Sequence, residues 1–185
     1  MPETGSSLVR HYLEDIMAAE QHIEAQLRNF AAAEDDDTEV QDAFAGHAEQ
    51  TRFQQQRLSD RLDQLGGVAV NTAKGDLASL LNVAPQIIQS GNIVEERTLQ
   101  NLIASYTVEL GECALYETLA AVSHAAGDNI TEALARQIQM EERATAEELW
   151  HFLPSRAKIA FNMLTVSELD PAVETKLADD RLIES

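Results

Sequence analysis

Residues 66–91 read GGVAVNTAKGDLASLLNVAPQIIQSG and separate two pairs of long helical segments. A connection of about 26 residues is too long for a tight turn, but it can cross the length of a helical bundle. It opens with Gly66 and Gly67, a strong helix stop because glycine adopts the left-handed conformation without steric cost. Its middle, DLASLLNVAPQIIQ, predicts a short extra helix broken near Pro85. The stretch therefore predicts a crossover over residues 66–92 rather than a hairpin turn.

Capping residues and helix breakers delimit the helical segments on either side of the crossover. The first pair is predicted at residues 7–33 and 38–65. The third segment is predicted at residues 93–126, ending at Gly127, and the fourth begins at a cap, Asp128 or Asn129, and ends at residue 153 before Pro154. Only a few residues separate the members of each pair, so each pair should form an antiparallel hairpin.

Two hairpins joined by a long crossover predict an all-α fold, a ferritin-like antiparallel four-helix bundle over residues 1–153. Residues 154–185 carry apolar side chains through Leu164 and turn acidic from Ser167. They are predicted to form a docked C-terminal segment and a loose acidic tail. The length of 185 residues, with 44% apolar and 5% aromatic residues, fits one domain of packed helices.

The charge of the chain limits its partners and its location. A formal net charge of -19 disfavours nucleic acid and anionic membranes, because such partners are bound by Lys and Arg. No segment approaches the roughly 18 apolar residues of a membrane span, and the N-terminus lacks the features of a signal peptide. A single cysteine, Cys113, agrees with a reducing compartment. We therefore predict a cytoplasmic protein without nucleic-acid or membrane partners.

Polar residues interrupt the apolar stripe of every predicted helix near its middle. In the first helix, Glu20 stands between Ile16 and Ile23, where the helical repeat asks for an apolar side chain. The corresponding positions of the other three helices are occupied by His47 and Gln54, by Glu109 and Glu112, and by Glu142 with Glu141 beside it.

Antiparallel pairing brings the midpoints of the four helices to one height, so these groups should converge on one layer of the core. An ionised carboxylate buried without a partner costs several kcal/mol, and four of them in an apolar core are untenable alone. A divalent metal resolves the conflict, and mixed carboxylate and imidazole ligands suit iron or manganese. The alternative is a polar network satisfied by protons and water.

Four segments carry a family resemblance, namely LEDIMAAEQHIEAQL, AFAGHAEQTRFQQQRL, YTVELGECALYETLAAVSHAAGD and MEERATAEEL. In this order and with this crossover they resemble the helices of the YciE/YciF family of ferritin-like bacterial stress proteins. The resemblance covers most of residues 7–153. It implies a ferritin-like bundle, a homodimer, a dinuclear iron or manganese site, and expression linked to general or osmotic stress.

The resemblance also implies site residues. The family usually has a glutamate at the position of Gln50 and often a histidine at that of Gln54, so this pair is neutral here. Neither the second nor the fourth helix has the Glu-x-x-His of ferritins proper, which leaves the nitrogen ligand to His47. The predicted metal ligands are Glu20, His47, Glu109, Glu112, Glu142 and Glu141. The residues predicted to surround and orient them are Gln50, Gln54, Tyr106 and Tyr116.

Three functions follow from these observations. The leading hypothesis is a metal-binding stress protein with oxidase or peroxide-consuming activity at a dinuclear centre. The second is a metal-free structural or partner-binding helical-bundle dimer, which Gln50 and Gln54 favour. The third, iron storage in a hollow shell, is disfavoured because the resemblance implies a dimer. The sequence leaves open whether the protein is an enzyme.

Overall fold

The computed structural model of the chain describes residues 5–34, 37–66 and 94–169, and all regular secondary structure in these ranges is helical. The helices are α1 Gly5–Ala33, α2 Thr38–Gln64, α3 Val94–Ala125 and α4 Asn129–Leu169. The predicted all-α bundle is confirmed. None of these helices is both long enough and apolar enough to cross a membrane.

The helix ends follow the local chemistry of the sequence. Gly66 and Gly127 have φ angles of 72° and 73°, the left-handed conformation predicted for helix-terminating glycines. The Asp128 carboxylate accepts the backbone N–H of Thr131 at 3.0 Å, which makes Asp128 the cap of α4. Asp37 caps α2 in the same way. These contacts satisfy N–H groups that have no partner within their own helix.

The predicted end of the fourth helix at residue 153 is wrong, because α4 continues through Pro154 to Leu169. Proline lacks an N–H and disrupts a helix interior, so the turns beyond it need support from elsewhere in the fold. Arg156 supplies that support by donating to both carboxylate oxygens of Asp37 at 2.7 and 2.8 Å. The ion pair ties the last turns of α4 to the start of α2, and the helix bridges the proline.

The two helices within each hairpin are antiparallel, as predicted. Helices α1 and α3, which belong to different hairpins, are also antiparallel. In the first hairpin, Gln41 donates to the Ala31 carbonyl and Gln55 to that of Glu20, which shows the antiparallel register of α1 and α2. In the second hairpin, α3 packs against α4 more extensively than against any other helix. Between the hairpins, Glu34 at the end of α1 accepts a hydrogen bond from Thr98 at the start of α3. Glu20, which comes earlier in α1 than Glu34, contacts Tyr116, which comes later in α3 than Thr98.

It follows that α2 and α3 run in the same direction and that the end of α2 and the start of α3 lie at opposite ends of the bundle. A short turn cannot join such ends. Apart from Gly66, the predicted crossover and its short helix lie outside the described residues. Residues 170–185 of the predicted tail lie outside them as well.

Two apolar clusters fill the bundle on either side of a polar middle. The first consists of Val9, Leu13, Ile16, Met17, Leu58, Leu62, Tyr116, Leu119, Ala120, Ala135 and Ile138. The second consists of Ala19, Ile23, Leu27, Phe30, Val40, Phe44, Ala48, Leu102, Ala104, Val108 and Leu149. Burial of these side chains is the main stabilising term of the fold. It also encloses the layer between the two clusters.

Candidate metal centre

Each helix contributes at least one ionisable side chain to the layer between the apolar clusters. The contributors are Glu20 from α1, His47 from α2, Glu109 and Glu112 from α3, and Glu142 from α4, and all of them are buried. The structure therefore brings together five of the six side chains that the sequence suggests as ligands. These polar residues, which interrupt the apolar stripes of the helices, therefore face the core.

Four of these side chains form a compact cluster, which we call the core cluster: His47, Glu109, Glu112 and Glu142. Each offers one nitrogen or oxygen atom, and these atoms all lie within 4.8 Å of one another. His47 Nε2 is 3.4 Å from Glu109 Oε1 and 3.9 Å from Glu142 Oε2. One imidazole and three carboxylates are a ligand set that iron and manganese accept.

Most polar atoms of the core cluster have no hydrogen-bond partner among the described residues. They include both ring nitrogens of His47, both carboxylate oxygens of Glu109, and Oε2 of both Glu112 and Glu142. Buried polar atoms in folded proteins are nearly always paired, so a concentration of unpaired acceptors calls for a ligand. A divalent cation fits, because it accepts lone pairs from all four residues at once.

The electrostatics of the layer also favour a cation. Burial raises the pKa of Glu109, and the neighbouring Glu142 raises it further. Burial likewise raises the pKa of Glu112, with Glu20 as the next largest cause. Without a cation, these groups are pushed toward their protonated forms. A bound metal ion would oppose this by stabilising the ionised carboxylates.

Glu20 lies beside the core cluster and is held by a tyrosine. Tyr116 donates its phenolic O–H to Glu20 Oε1, and the other oxygen, Oε2, has no partner among the described residues. Burial raises the pKa of Glu20, and the charge of Glu142 adds to this. Burial and the adjacent Glu20 also raise the pKa of Tyr116, so that the phenol remains a donor. Tyr116 thus contacts a predicted ligand, as the sequence suggests.

The two glutamines of α2 differ in their relation to the layer. Gln54 is fully buried and donates its amide N–H to Glu142 Oε1. Gln50 is half-buried, and its amide donates to the hydroxyl oxygen of Thr145 at 3.4 Å. Gln54 therefore orients a member of the core cluster, whereas Gln50 lies farther out, between α2 and α4.

Glu141 is not a member of the core cluster; its Oε2 accepts a hydrogen bond from Gln54 at 3.3 Å, and its carboxylate pairs with Arg57, a residue that was not predicted. Arg57 donates to both oxygens of Glu141, one at 2.9 Å. Burial alone would raise the pKa of Glu141, but the guanidinium lowers it below its ordinary value. Arg57 lies three positions after Gln54, on the same side of α2. That spacing is the signal that could have identified it.

Tyr106 also lies away from the core cluster. Its half-buried ring packs against Trp150 with 5.4 Å between ring centroids. This aromatic pair joins α3 to α4 at the edge of the second apolar cluster. Its predicted role beside the ligands stays a prediction.

Comparison with known proteins places the chain in a family. Residues 6–161 match a family model described as Domain of unknown function (DUF892). Protein YciF of Escherichia coli strain K12 is 27% identical over 136 residues, which cover 73% of this chain and 81% of YciF. The solved structure of the E. coli stress protein YciF has a TM-score of 0.73 at 24% identity, covering 84% of this chain and 98% of that one. A structure from Xanthomonas campestris pv. campestris has a TM-score of 0.72 at 20% identity, covering 87% of this chain and 98% of that one.

The helical fold and the polar layer in its core together define a class of protein. Its members are four-helix bundles with a buried cluster of carboxylates and a histidine. Within that class the chain belongs to the DUF892 family, and its similarity to YciF confirms the predicted YciE/YciF membership.

Proposed function

We propose that the chain is a metal-binding stress-response protein that holds iron or manganese in the core of its bundle. The observation that carries this proposal is the core cluster, four buried side chains that offer donor atoms within 4.8 Å of one another. Most of its polar atoms have no partner among residues 5–34, 37–66 and 94–169. The role in stress follows from the similarity to YciF, which is described as a stress protein. The predicted cytoplasmic location and the absence of nucleic-acid and membrane partners are part of the proposal.

The proposed centre is dinuclear, as in other ferritin-like bundles. The core cluster would hold the first ion. Glu20 would join Glu112 and Glu142 around the second, because its buried Oε2 has no partner in the described part of the chain and its charge acts on Glu112. Glu141 is left out of the proposed ligand set, since its carboxylate is engaged by Arg57.

Iron or manganese bound there would supply one-electron chemistry toward dioxygen or peroxide, which supports an oxidase or peroxide-consuming activity. The residues of the chain have separate tasks. Glu109 and Glu112, whose pKa values are raised by burial, would hold the ion as carboxylates and would give up their protons on binding it. Tyr116 holds a proton at Glu20 Oε1, and Gln54 fixes the orientation of Glu142. The apolar clusters on both sides exclude bulk water from the layer.

The activity can be tested by loading the protein with Fe²⁺ without oxygen and then adding dioxygen or hydrogen peroxide. Oxidation of the iron, followed by near-ultraviolet absorbance, should be faster than that of free Fe²⁺ and should be lost in Glu112→Gln. Glu147→Gln, an exposed change on α4, is the matched control and should behave as wild type. Bound iron that oxidises no faster than free iron would exclude the activity but not metal binding.

A metal-free structural dimer is the second candidate, and specific hydrogen bonds favour it. The bonds from Tyr116 to Glu20 and from Gln54 to Glu142 satisfy part of the layer without an ion. Protons on the carboxylates with raised pKa values would satisfy more of it. This function predicts that the protein remains metal-free after anaerobic loading and is most stable in that state.

Under either function we propose a homodimer. The last turns of α4 expose large apolar side chains, among them Phe161 at 68% exposure and Ile159 at 46%. Exposed apolar surface of this kind is typical of an interface. Sedimentation velocity should show a dimer for the wild type and for Lys158→Glu, and a monomer for Phe161→Glu. A dimer that persists in Phe161→Glu would place the interface elsewhere.

A further inference from the structure

The bundle is least tightly closed between α2 and α4. Of the four pairs of neighbouring helices, α2 and α4 make the fewest contacts. A cleft of about 120 Å³ opens between them, lined by Asp42, Gly46, His47, Gln50, Thr145 and Glu148 among others. The core cluster therefore lies behind the loosest wall of the bundle.

His47 connects this cleft to the core cluster. The ring lines the cleft, is only 5% exposed, and has no hydrogen-bond partner for either nitrogen among the described residues. A second cavity reaches Glu109 from the side of α1 and α3, but it measures about 10 Å³. That is room for one water molecule at most. The cleft at His47 is the roomier of these two approaches to the cluster.

Gly46 widens the cleft at the turn of α2 that carries His47. A Cβ atom at this position would meet no atom of the described residues within 4 Å, so the space beside it is open with respect to them. Glycine destabilises a helix interior relative to alanine, and no described residue packs close enough to Gly46 to require its small size. What glycine provides at this position is an unobstructed opening.

A weak polar contact joins the two walls of the cleft. Gln50 donates to the Thr145 hydroxyl oxygen at 3.4 Å, which is long for a hydrogen bond. Both side chains line the cleft, and neither belongs to the core cluster. Separating them costs little, since water can replace so long a bond.

The outer end of the cleft is acidic. Asp42 from α2 and Glu148 from α4 are both exposed at its rim. None of the described residues that line it is lysine or arginine. Arg57 lines the adjoining groove, and its guanidinium is paired with Glu141. With a net charge of -19 on the whole chain, this rim concentrates cations and repels anions.

We propose that this cleft is the uptake path by which a hydrated divalent cation reaches the core cluster. Asp42 and Glu148 attract the ion, Gly46 leaves the opening, Gln50 and Thr145 part to admit it, and His47 is the first ligand it meets. The inference rests on the proposed metal-binding function and adds to it the route of the ion.

Rapid mixing of the metal-free protein with Co²⁺ tests the path, because the visible absorption of protein-bound Co²⁺ reports binding directly. Gly46→Leu should slow uptake by about tenfold or more while leaving the final absorbance unchanged. Ala45→Leu, the exposed neighbour on α2, adds similar bulk outside the cleft and should load at the wild-type rate.

Removing the rim charges gives an independent test without added bulk. Asp42→Asn combined with Glu148→Gln should slow uptake by about tenfold at low salt, with the difference lost at high salt. Asp63→Asn combined with Glu147→Gln removes the same charge from exposed positions outside the cleft and is the control.

If both cleft variants reach the wild-type final absorbance at the wild-type rate, the proposed uptake path is wrong. The proposed metal-binding function would remain. Equal slowing in the controls would overturn it as well. A wild type that never develops the Co²⁺ absorption would overturn the proposed function and the path together.

Discussion

Tyr116 and Glu20, both completely buried, are joined by a hydrogen bond from the phenol to the carboxylate that links α3 to α1. The bond lies where the first apolar cluster meets the polar layer. A buried carboxyl oxygen that loses its donor incurs the full penalty of desolvation. The pair therefore connects the stability of the bundle to the organisation of the candidate metal centre.

Tyr116→Phe should lower the free energy of unfolding of the metal-free protein by about 1–3 kcal/mol, because Glu20 loses its donor. Urea denaturation provides the measurement. Tyr12→Phe, at a half-buried tyrosine beside the same cluster, is the control and should change the value by less than about 0.5 kcal/mol. Equal stability of Tyr116→Phe and wild type would mean that the bond has no structural role.

The metal-free protein should lose stability as the pH rises from about 6 to about 8. Burial raises the pKa of Glu20, Glu109 and Glu112 in the folded state, so the folded protein binds more protons than the unfolded chain in this range. Stability from such groups is complete at low pH and is lost as the pH passes their folded-state pKa values.

Bound Mn²⁺ should reverse this trend. Its ligands must be deprotonated, so Mn²⁺ binding should stabilise the folded protein more strongly as the pH rises. Urea midpoints at both pH values, with and without Mn²⁺, provide the test. A metal-free protein that becomes more stable from pH 6 to pH 8 would contradict the described burial of the carboxylates.

Glu109→Gln should stabilise the metal-free protein at neutral pH by about 1 kcal/mol or more, because folding no longer has to bury a carboxyl group that is ionised in the unfolded chain. The same change removes a proposed ligand and should weaken Mn²⁺ binding by at least about tenfold. Denaturation and calorimetric titration measure the two effects. The exposed Glu117→Gln should alter neither. Unchanged Mn²⁺ affinity in Glu109→Gln would exclude Glu109 as a ligand.

Arg61→Ala should destabilise the bundle by about 2–3 kcal/mol, since it breaks a largely buried ion pair. Arg61 contacts Asp128 at 2.7 Å and also donates to the Thr131 hydroxyl oxygen, which ties the end of α2 to the cap of α4. Urea denaturation measures the loss. The exposed pair of Arg136 and Glu117 offers a contrast, and Arg136→Ala should leave the unfolding midpoint unchanged. A similar loss of stability in Arg61→Ala and Arg136→Ala would mean that the buried ion pair stabilises the fold no more than the exposed pair does.

Local patterns predicted most of the fold and the position of the polar layer. The repeat of apolar residues on both sides of Glu20 locates α1, and Gly66 and Gly127 end their helices through a conformation that glycine adopts freely. These features depend on neighbours within a few residues. The same periodicity predicted that Glu109 and Glu142 face the core, and both do.

Features that depend on contacts distant in sequence were not predicted. Helix α4 continues past Pro154, and its turns beyond the proline are held by Arg156, which pairs with Asp37 at the start of α2. Glu141 is adjacent to Glu142 in sequence, but its carboxylate pairs with Arg57 and is not part of the core cluster. Periodicity assigns a residue to a helix face, but the direction of a long side chain at the edge of that face depends on its partner.

Elemental analysis by inductively coupled plasma mass spectrometry tests directly whether the core cluster binds metal. Wild type purified without chelators would be compared with Glu112→Gln/Glu142→Gln and with the exposed control Glu117→Gln/Glu147→Gln. We predict about two iron or manganese ions per chain in wild type and control, and none in the core-cluster variant. A wild type without stoichiometric metal, even after anaerobic loading, would contradict the account and leave a layer satisfied by protons and water.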